Sequence, residues 1–183
     1  MNWNTPYLNH RDYIQLSTHA LSDLLVFAKI PAEAKTALDI GCGTGALVRD
    51  LYHRGFNVLG IDSAKEAIRI AKESSVIQRG IDFKMLDIEQ EKPEGTFSAL
   101  FCKYVYVFMV DRKAFLAKVI SMMDNASTFV ILSPNPGLLP ENKQDIALPL
   151  STLLDELSEF FEEVSHKEHA GDFWIACTQP KRS

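Results

Sequence analysis

The sequence predicts an α/β fold: a doubly wound, mainly parallel sheet closed by an antiparallel hairpin. Three observations predict it. Short apolar runs alternate with helix-period runs from residue 36 to 132, the rhythm of strands joined by helical crossovers. A glycine-rich stretch, Gly41, Gly43 and Gly45, separates the first apolar run from the helical run after it. Near the end, two strand-like runs meet at Ala170-Gly171-Asp172. Strands joined that tightly can only pair antiparallel.

The elements follow in order. Residues 10–29 carry Leu16, Ala20, Leu24 and Phe27 at helical spacing, and Pro31 ends the pattern. "TALDI" (36–40) is a strand that stops at glycine. Residues 45–54 form a helix before Gly55, and "FNVLGI" (56–61) is strand two. Residues 63–74 are a helix, with Ser63 and Glu66 at capping-box spacing. Strand three is 81–86. Strand four, 97–102, has few charges, as suits a strand covered on both faces. A helix over 111–124 leads to strand five, 127–132. Residues 133–150 are proline-rich and irregular, a lid candidate or a plain connection. Ser151 is placed to cap a helix from 151 to about 161, and the terminal hairpin spans 159–178.

Composition narrows the function. With 183 residues the chain suits one domain over 1–183, long enough to bury a core without disulfides or metal. The net charge of -5 and the lack of a Lys/Arg run give no strong nucleic-acid signal. Three scattered cysteines without C-x-x-C speak against a disulfide framework or zinc ribbon. No signal peptide or membrane-length apolar run is visible, so a cytoplasmic protein is expected. His166 and His169 read as hairpin surface, and no metal is expected.

The chemistry gathers at the strand ends. In an open parallel sheet, ligands bind beyond the carboxyl ends, where strand order reverses. There the chain places Asp39, Asp62 and Asp87, at the ends of strands one, two and three. The glycines clear side chains so that a ligand can rest on the backbone. Their spacing also satisfies a dinucleotide pattern through Gly41, Gly43 and Ala46. Asp62 is placed for ribose hydroxyls and Asp87 for an exocyclic amine. Asp39 discriminates: a carboxylate just before the loop repels a pyrophosphate and favours an amino group or sulfonium.

"LDIGCGTG" followed by "VLGIDSAKEAIRIAK" resembles the first motifs of class I S-adenosylmethionine-dependent methyltransferases. The likeness runs over about 36–132, and the hairpin extends it to about 178. It implies a Rossmann-like seven-stranded sheet of order 3-2-1-4-5-7-6, with strand seven antiparallel. It implies S-adenosyl-L-methionine as cofactor and S-adenosyl-L-homocysteine as product. The Gly41, Cys42, Gly43 and Gly45 loop would pack against the methionine portion, with Asp39 near its amino group. Asp62 would hold the ribose hydroxyls, and Ser63 would lie beside the adenine. Asp87 would bind N6 next to the Ile88 backbone. The Cys102 carbonyl would meet the methionine amino group. One departure is Ser98 after Phe97, where the family often has aspartate.

The acceptor side is less determined. Lys103, Tyr104 and Tyr106 follow strand four, where relatives build the acceptor pocket; the tyrosines fit a pocket wall or core packing alike. Tyr7, Arg11 and Tyr13 belong to an N-terminal helical cap over 1–30, which either covers the cofactor or simply docks on the sheet. The expected acceptor is a small molecule or a protein side chain, with no catalytic residue or oligomeric state assigned. A nicotinamide oxidoreductase is disfavoured by Asp39 and by the lack of Tyr-x-x-x-Lys. A P-loop hydrolase lacks its Gly-Lys-Ser/Thr. A non-catalytic relative serving as a partner subunit stays open.

Overall fold

The computed structural model describes Asn4, Tyr7 and residues 15–75 and 79–182. Arg11, Tyr13 and the start of the expected 10–29 helix lie outside the described residues. The elements are α1 (Thr18–Phe27), β1 (Thr36–Ile40), α2 (Ala46–His53), β2 (Asn57–Asp62), α3 (Lys65–Glu73) and β3 (Ile81–Met85). Then come β4 (Ala99–Lys103), α4 (Arg112–Ser121), β5 (Thr128–Pro134), α5 (Leu150–Ser158), β6 (Phe161–His169) and β7 (Asp172–Pro180).

The strands form one sheet in the order β3-β2-β1-β4-β5-β7-β6. Pairs among β1 to β5 are parallel, whereas β7 runs antiparallel between β5 and β6. The implied topology is therefore the observed one. β1 has β2 on one side and β4 on the other, so the strand order reverses there and a crevice opens at their carboxyl ends.

Strand alternation splits the core into two layers. Leu38, Ile40, Leu100 and Cys102 face α4 and α5, packing with Phe115, Leu116, Leu153 and Leu157. Ala37, Ala99 and Phe101 face the other helices, against Leu24, Leu51 and Ile68. By the same alternation Asp39 and Lys103 fall on the second face, and Cys102 on the first.

Two caps differ from expectation. Ser63 and Glu66 form no capping box. The first turn of α3 is satisfied from elsewhere: Asp62 Oδ1 accepts from Ala64 N at 2.8 Å and Asn4 Oδ1 from Glu66 N at 3.0 Å. The Glu66 carboxylate instead pairs with Arg69. Ser151 is not a cap either, because Leu150 already opens α5 behind Pro149, whose fixed φ suits a helix entry. Residues 15–17 are not helical, and α1 starts at Thr18 with Ser17 accepting from Ala20 N at 3.1 Å. Between β5 and α5 the proline-rich stretch folds into two short 3-10 segments, Pro136–Leu138 and Glu141–Ile146. The hairpin closes at 170–171 and spans 161–180, slightly later than the sequence suggests.

Candidate functional site

A cavity of about 650 Å³ opens at the carboxyl edge, between the ends of β1, β2 and β4 and the N-terminal segment. Its size lies in the ~300–1,000 Å³ range of small-ligand sites. It forms because the chain after β1 turns back on β2: Gly41 N and Cys42 N both donate to Ile61 O, at 2.8 and 2.9 Å. That turn demands left-handed backbone at glycine. Gly41 has φ +72°, and a Cβ there would sit 2.3 Å from Val105 Cγ2. Gly45 has φ +81°, and a Cβ would press on the Phe83 ring at 2.5 Å. Side chains are excluded at both points by sterics as well as by dihedral.

Asp62 fixes the loop. Its Oδ2 accepts from Gly43 N at 2.9 Å, while Oδ1 accepts from Ala64 N. One carboxylate thus joins the glycine loop to the start of α3. Burial pushes its carboxyl above the ordinary value, and the two N–H donors hold the rise back.

Asp39 lies deeper, 2% exposed. Its carboxyl is pushed up to about 7, chiefly by burial; the Lys103 ammonium works against the rise and the Asp62 charge adds to it. Such a group is half-charged at neutral pH and gains most from a cation placed beside it. Asp87 is exposed at the other side of the cavity, where its Oδ1 accepts from Glu89 N at 3.0 Å. Ile88 next to it is buried and lines the same wall.

Of the residues singled out from the sequence, Asp39, Gly41, Cys42, Gly43, Asp62 and Ser63 border this cavity. So do Asp87, Ile88, Lys103, Tyr104 and Tyr7. Gly45, Cys102 and Tyr106 stand behind the wall. Gly45 is the α2 cap. The Cys102 sulfur accepts backbone N–H groups of Tyr106 and Val105, and burial pushes its thiol strongly up. Cys102 therefore shapes the turn after β4 from beneath. The Tyr106 hydroxyl donates to Glu156 Oε2 at 2.8 Å, and Arg112 holds the same carboxylate in a bidentate pair. This is core packing with a polar anchor. Tyr104 differs: it has φ +60°, and its hydroxyl donates to Asp172 Oδ2 at 2.5 Å. Lys103 Nζ lies 4.7 Å from the Tyr104 ring centroid. A tyrosine held in left-handed backbone stores about 1–3 kcal/mol of strain, a cost found mostly at functional sites.

Tyr7 is buried against Ala64 and Ala67, and its hydroxyl stands 3.0 Å from the point a Gly43 Cβ would occupy. With Asn4 bonded to the start of α3, Asn4 and Tyr7 both border the cavity beside the glycine loop. No described residue of 133–150 lines the cavity. Sequence reasoning missed the rim 108–110, the acid Glu89 and the anchor Asp172. Val110 is 91% exposed, yet nothing sets it apart within the apolar run "YVYVFMV", which fits a pocket wall or core packing alike. Glu89 lay in an acidic loop indistinguishable from solvated surface, and Asp172 passed for turn chemistry. Among the described residues no cluster of ligating side chains could hold a metal ion, and no helix is long and apolar enough to cross a membrane.

Comparison with known proteins bears on this site. Methyltransferase 235L of Invertebrate iridescent virus 6 is 30% identical over 135 residues, which is 72% of this chain and 48% of that protein. The ubiquinone biosynthesis O-methyltransferase of Bradyrhizobium diazoefficiens is 29% identical over 99 residues, 54% of this chain and 39% of its own length. The chain thus spans about half or less of these relatives. Among solved structures, the plantazolicin methyltransferase BpumL in complex with S-adenosylhomocysteine superposes with a TM-score of 0.70 at 15% identity, over 97% of this chain and 86% of that one. The N-methyltransferase NodS from Bradyrhizobium japonicum WM9 gives 0.69 at 16% identity, over 97% and 99%. These two likenesses concern the fold. A methyltransferase-domain profile matches residues 31–179, from the loop before β1 to nearly the end of β7. The chain belongs to this family of methyltransferase domains.

Proposed function

We propose that the protein transfers a methyl group from S-adenosylmethionine to a small-molecule or peptide acceptor. The observation that carries the reading is the pairing of a buried, half-charged Asp39 with a glycine loop held by Asp62, both on one cavity floor. A pyrophosphate there would face a carboxylate in low dielectric and be repelled. An amino group beside a sulfonium is the opposite case.

The residues present suit this cofactor. Asp39 offers a desolvated anion for the cationic amino acid end. Asp62 offers carboxylate oxygens toward ribose hydroxyls, and the 87–88 turn offers an acceptor and a backbone donor toward a base. Ser63 and Cys42 add small side chains that leave room, while Cys102, wholly buried behind the wall, offers the amino group no contact. When bound, the cofactor supplies a methyl group already activated by positive sulfur. The protein's part is then to orient an acceptor lone pair and exclude water. Asn4 and Tyr7 shield the glycine loop, and Lys103, Tyr104 and the apolar rim 108–110 form the acceptor end. Asp172 fixes the Tyr104 hydroxyl, so the acceptor end sets this hydroxyl and the Lys103 ammonium among apolar walls.

A thermal shift tests the reading. S-adenosylmethionine or S-adenosylhomocysteine at about 100 times its dissociation constant is expected to add ~2.7 kcal/mol, a Tm rise of ~5–10 °C for a domain of this size. A rise with NAD and none with either sulfur nucleoside would overturn it.

A further inference from the structure

The turn that follows β3 is held by Lys118, which does not line the cavity, and by the carboxylate of Glu89, which borders it. Lys118, half-buried on α4, donates through Nζ to Ile88 O at 3.0 Å and also to Glu89 O. Glu89 Oε1 accepts from Val110 N at 2.7 Å and Asp111 N at 3.3 Å. Asp111 in turn caps α4 through Ala114 N at 2.9 Å. The turn is therefore tied twice to one rigid element, once at its carbonyls and once through a carboxylate.

These bonds fix what the turn presents to the cavity. Asp87 O accepts from Gln90 N and Glu91 N, each at 3.0 Å, so that carbonyl faces into the turn. The trans, planar peptide then aims the Ile88 N–H the opposite way, out of the turn. The carbonyls of Ile88 and Glu89 are committed to one ammonium, so neither the 88–89 nor the 89–90 peptide can flip without breaking a charge-assisted bond, and the 88–89 peptide carries the Glu89 N–H that holds Asp87 Oδ1. Asp87 uses one oxygen on Glu89 N and keeps the other as an acceptor. The result is an acceptor beside a donor. That pattern complements the N6 amine and N1 of adenine. It opposes hypoxanthine, which carries an oxygen and an N–H at those positions.

Resting on the methyltransferase reading above, we infer that Lys118 and Glu89 are positioning residues that set base selectivity, by holding the Asp87–Ile88 turn in its adenine-reading orientation. The same ties make the turn one body with the 108–111 rim, so the base end and the acceptor end share a frame.

The test is calorimetric titration of the full chain with S-adenosylhomocysteine and with S-inosylhomocysteine, its hypoxanthine counterpart. Wild type should prefer the adenine ligand. Lys118→Met should lower affinity for S-adenosylhomocysteine about tenfold, the worth of one charged hydrogen bond, while S-inosylhomocysteine changes little, so the preference narrows. Lys118→Arg should restore it, and Glu89→Gln should narrow it less than Lys118→Met. Equal loss for both ligands, or no loss for either, would overturn the inference by reducing Lys118 to packing. Should Lys118→Met fail to fold, Lys118→Arg and Glu89→Gln decide by the same ratio. A wild-type protein that binds neither ligand would overturn the methyltransferase reading itself, and this inference with it.

Discussion

The two ends of the cavity are built from different materials. The floor between β1 and β2 is made of buried carboxylates and left-handed glycines. Asp62 accepts two backbone N–H groups, and Gly41 can carry no side chain. The opposite end, after β4, is made of Val105, Phe108, Met109 and Val110, partly or wholly exposed, around one hydrogen-bonded tyrosine. The floor is preorganised for a fixed ligand. The rim offers apolar area and few directional contacts. Affinity for the cofactor should therefore be concentrated in the floor, and acceptor choice in the rim.

Substitutions can break that division. The largest effect is expected at Asp62→Ala, which removes the proposed ribose acceptor and leaves Gly43 N and Ala64 N without theirs. Binding of S-adenosylhomocysteine should weaken by about 1.5–3 kcal/mol in calorimetry. An unchanged affinity would move the ribose elsewhere. Gly41→Ala should lower Tm by an amount equivalent to roughly 1–3 kcal/mol, since the new Cβ meets Val105 in a strained backbone. A thermal melt equal to wild type would show that the loop relaxes.

Asp39 sharpens the contrast because stability and binding should move in opposite directions. Its folded carboxyl, near 7, lies above the unfolded value near 4. Between those pH values the folded state holds the extra proton, so this group's contribution to stability declines as pH rises through about 7. Asp39→Asn should therefore raise the Tm of the unliganded protein at pH 8 while weakening the cofactor about tenfold. Wild-type affinity should climb about tenfold from pH 5.5 to 7 as Asp39 ionises, and the Asn variant should lose that slope. A flat wild-type profile would remove Asp39 from the cationic end. The smallest effect is expected at Val110→Ser. As a surface change it should alter cofactor affinity and Tm by within about 0.5 kcal/mol. A large loss in a binding titration would show the rim to be part of the cofactor site.

The same contrast explains what the sequence disclosed. The strand–helix rhythm and hairpin turn are local signals, so the sheet and its antiparallel member were legible. The floor was legible because each part sits at a strand end, where alternation and a glycine turn leave few places to go. Asp39, Asp62 and Asp87 are found by position alone. The rim was not, since its contacts come from distant chain. Tyr104 meets Asp172 across 68 positions, Tyr106 meets Glu156 across 50 and Glu89 meets Val110 across 21. For the same reason the two tyrosines after β4 looked equivalent in sequence, yet one faces the cavity and the other anchors α5. The caps misread at Ser63 and Ser151 have different causes: the neighbouring Asp62 and the distant Asn4 take the N–H groups in one case, and Pro149 opens α5 just ahead of Ser151 in the other.

The central claim is that Asp39 receives the cationic end of the cofactor, and proton release measures it most directly. S-adenosylhomocysteine should be titrated by calorimetry at pH 6.5 in two buffers of different ionisation enthalpy. A cation seated beside a carboxyl with a value near 7 should expel most of one proton per site, and Asp39→Asn should abolish the release. Tight binding with no proton released, or release that persists in the Asn variant, would contradict the account.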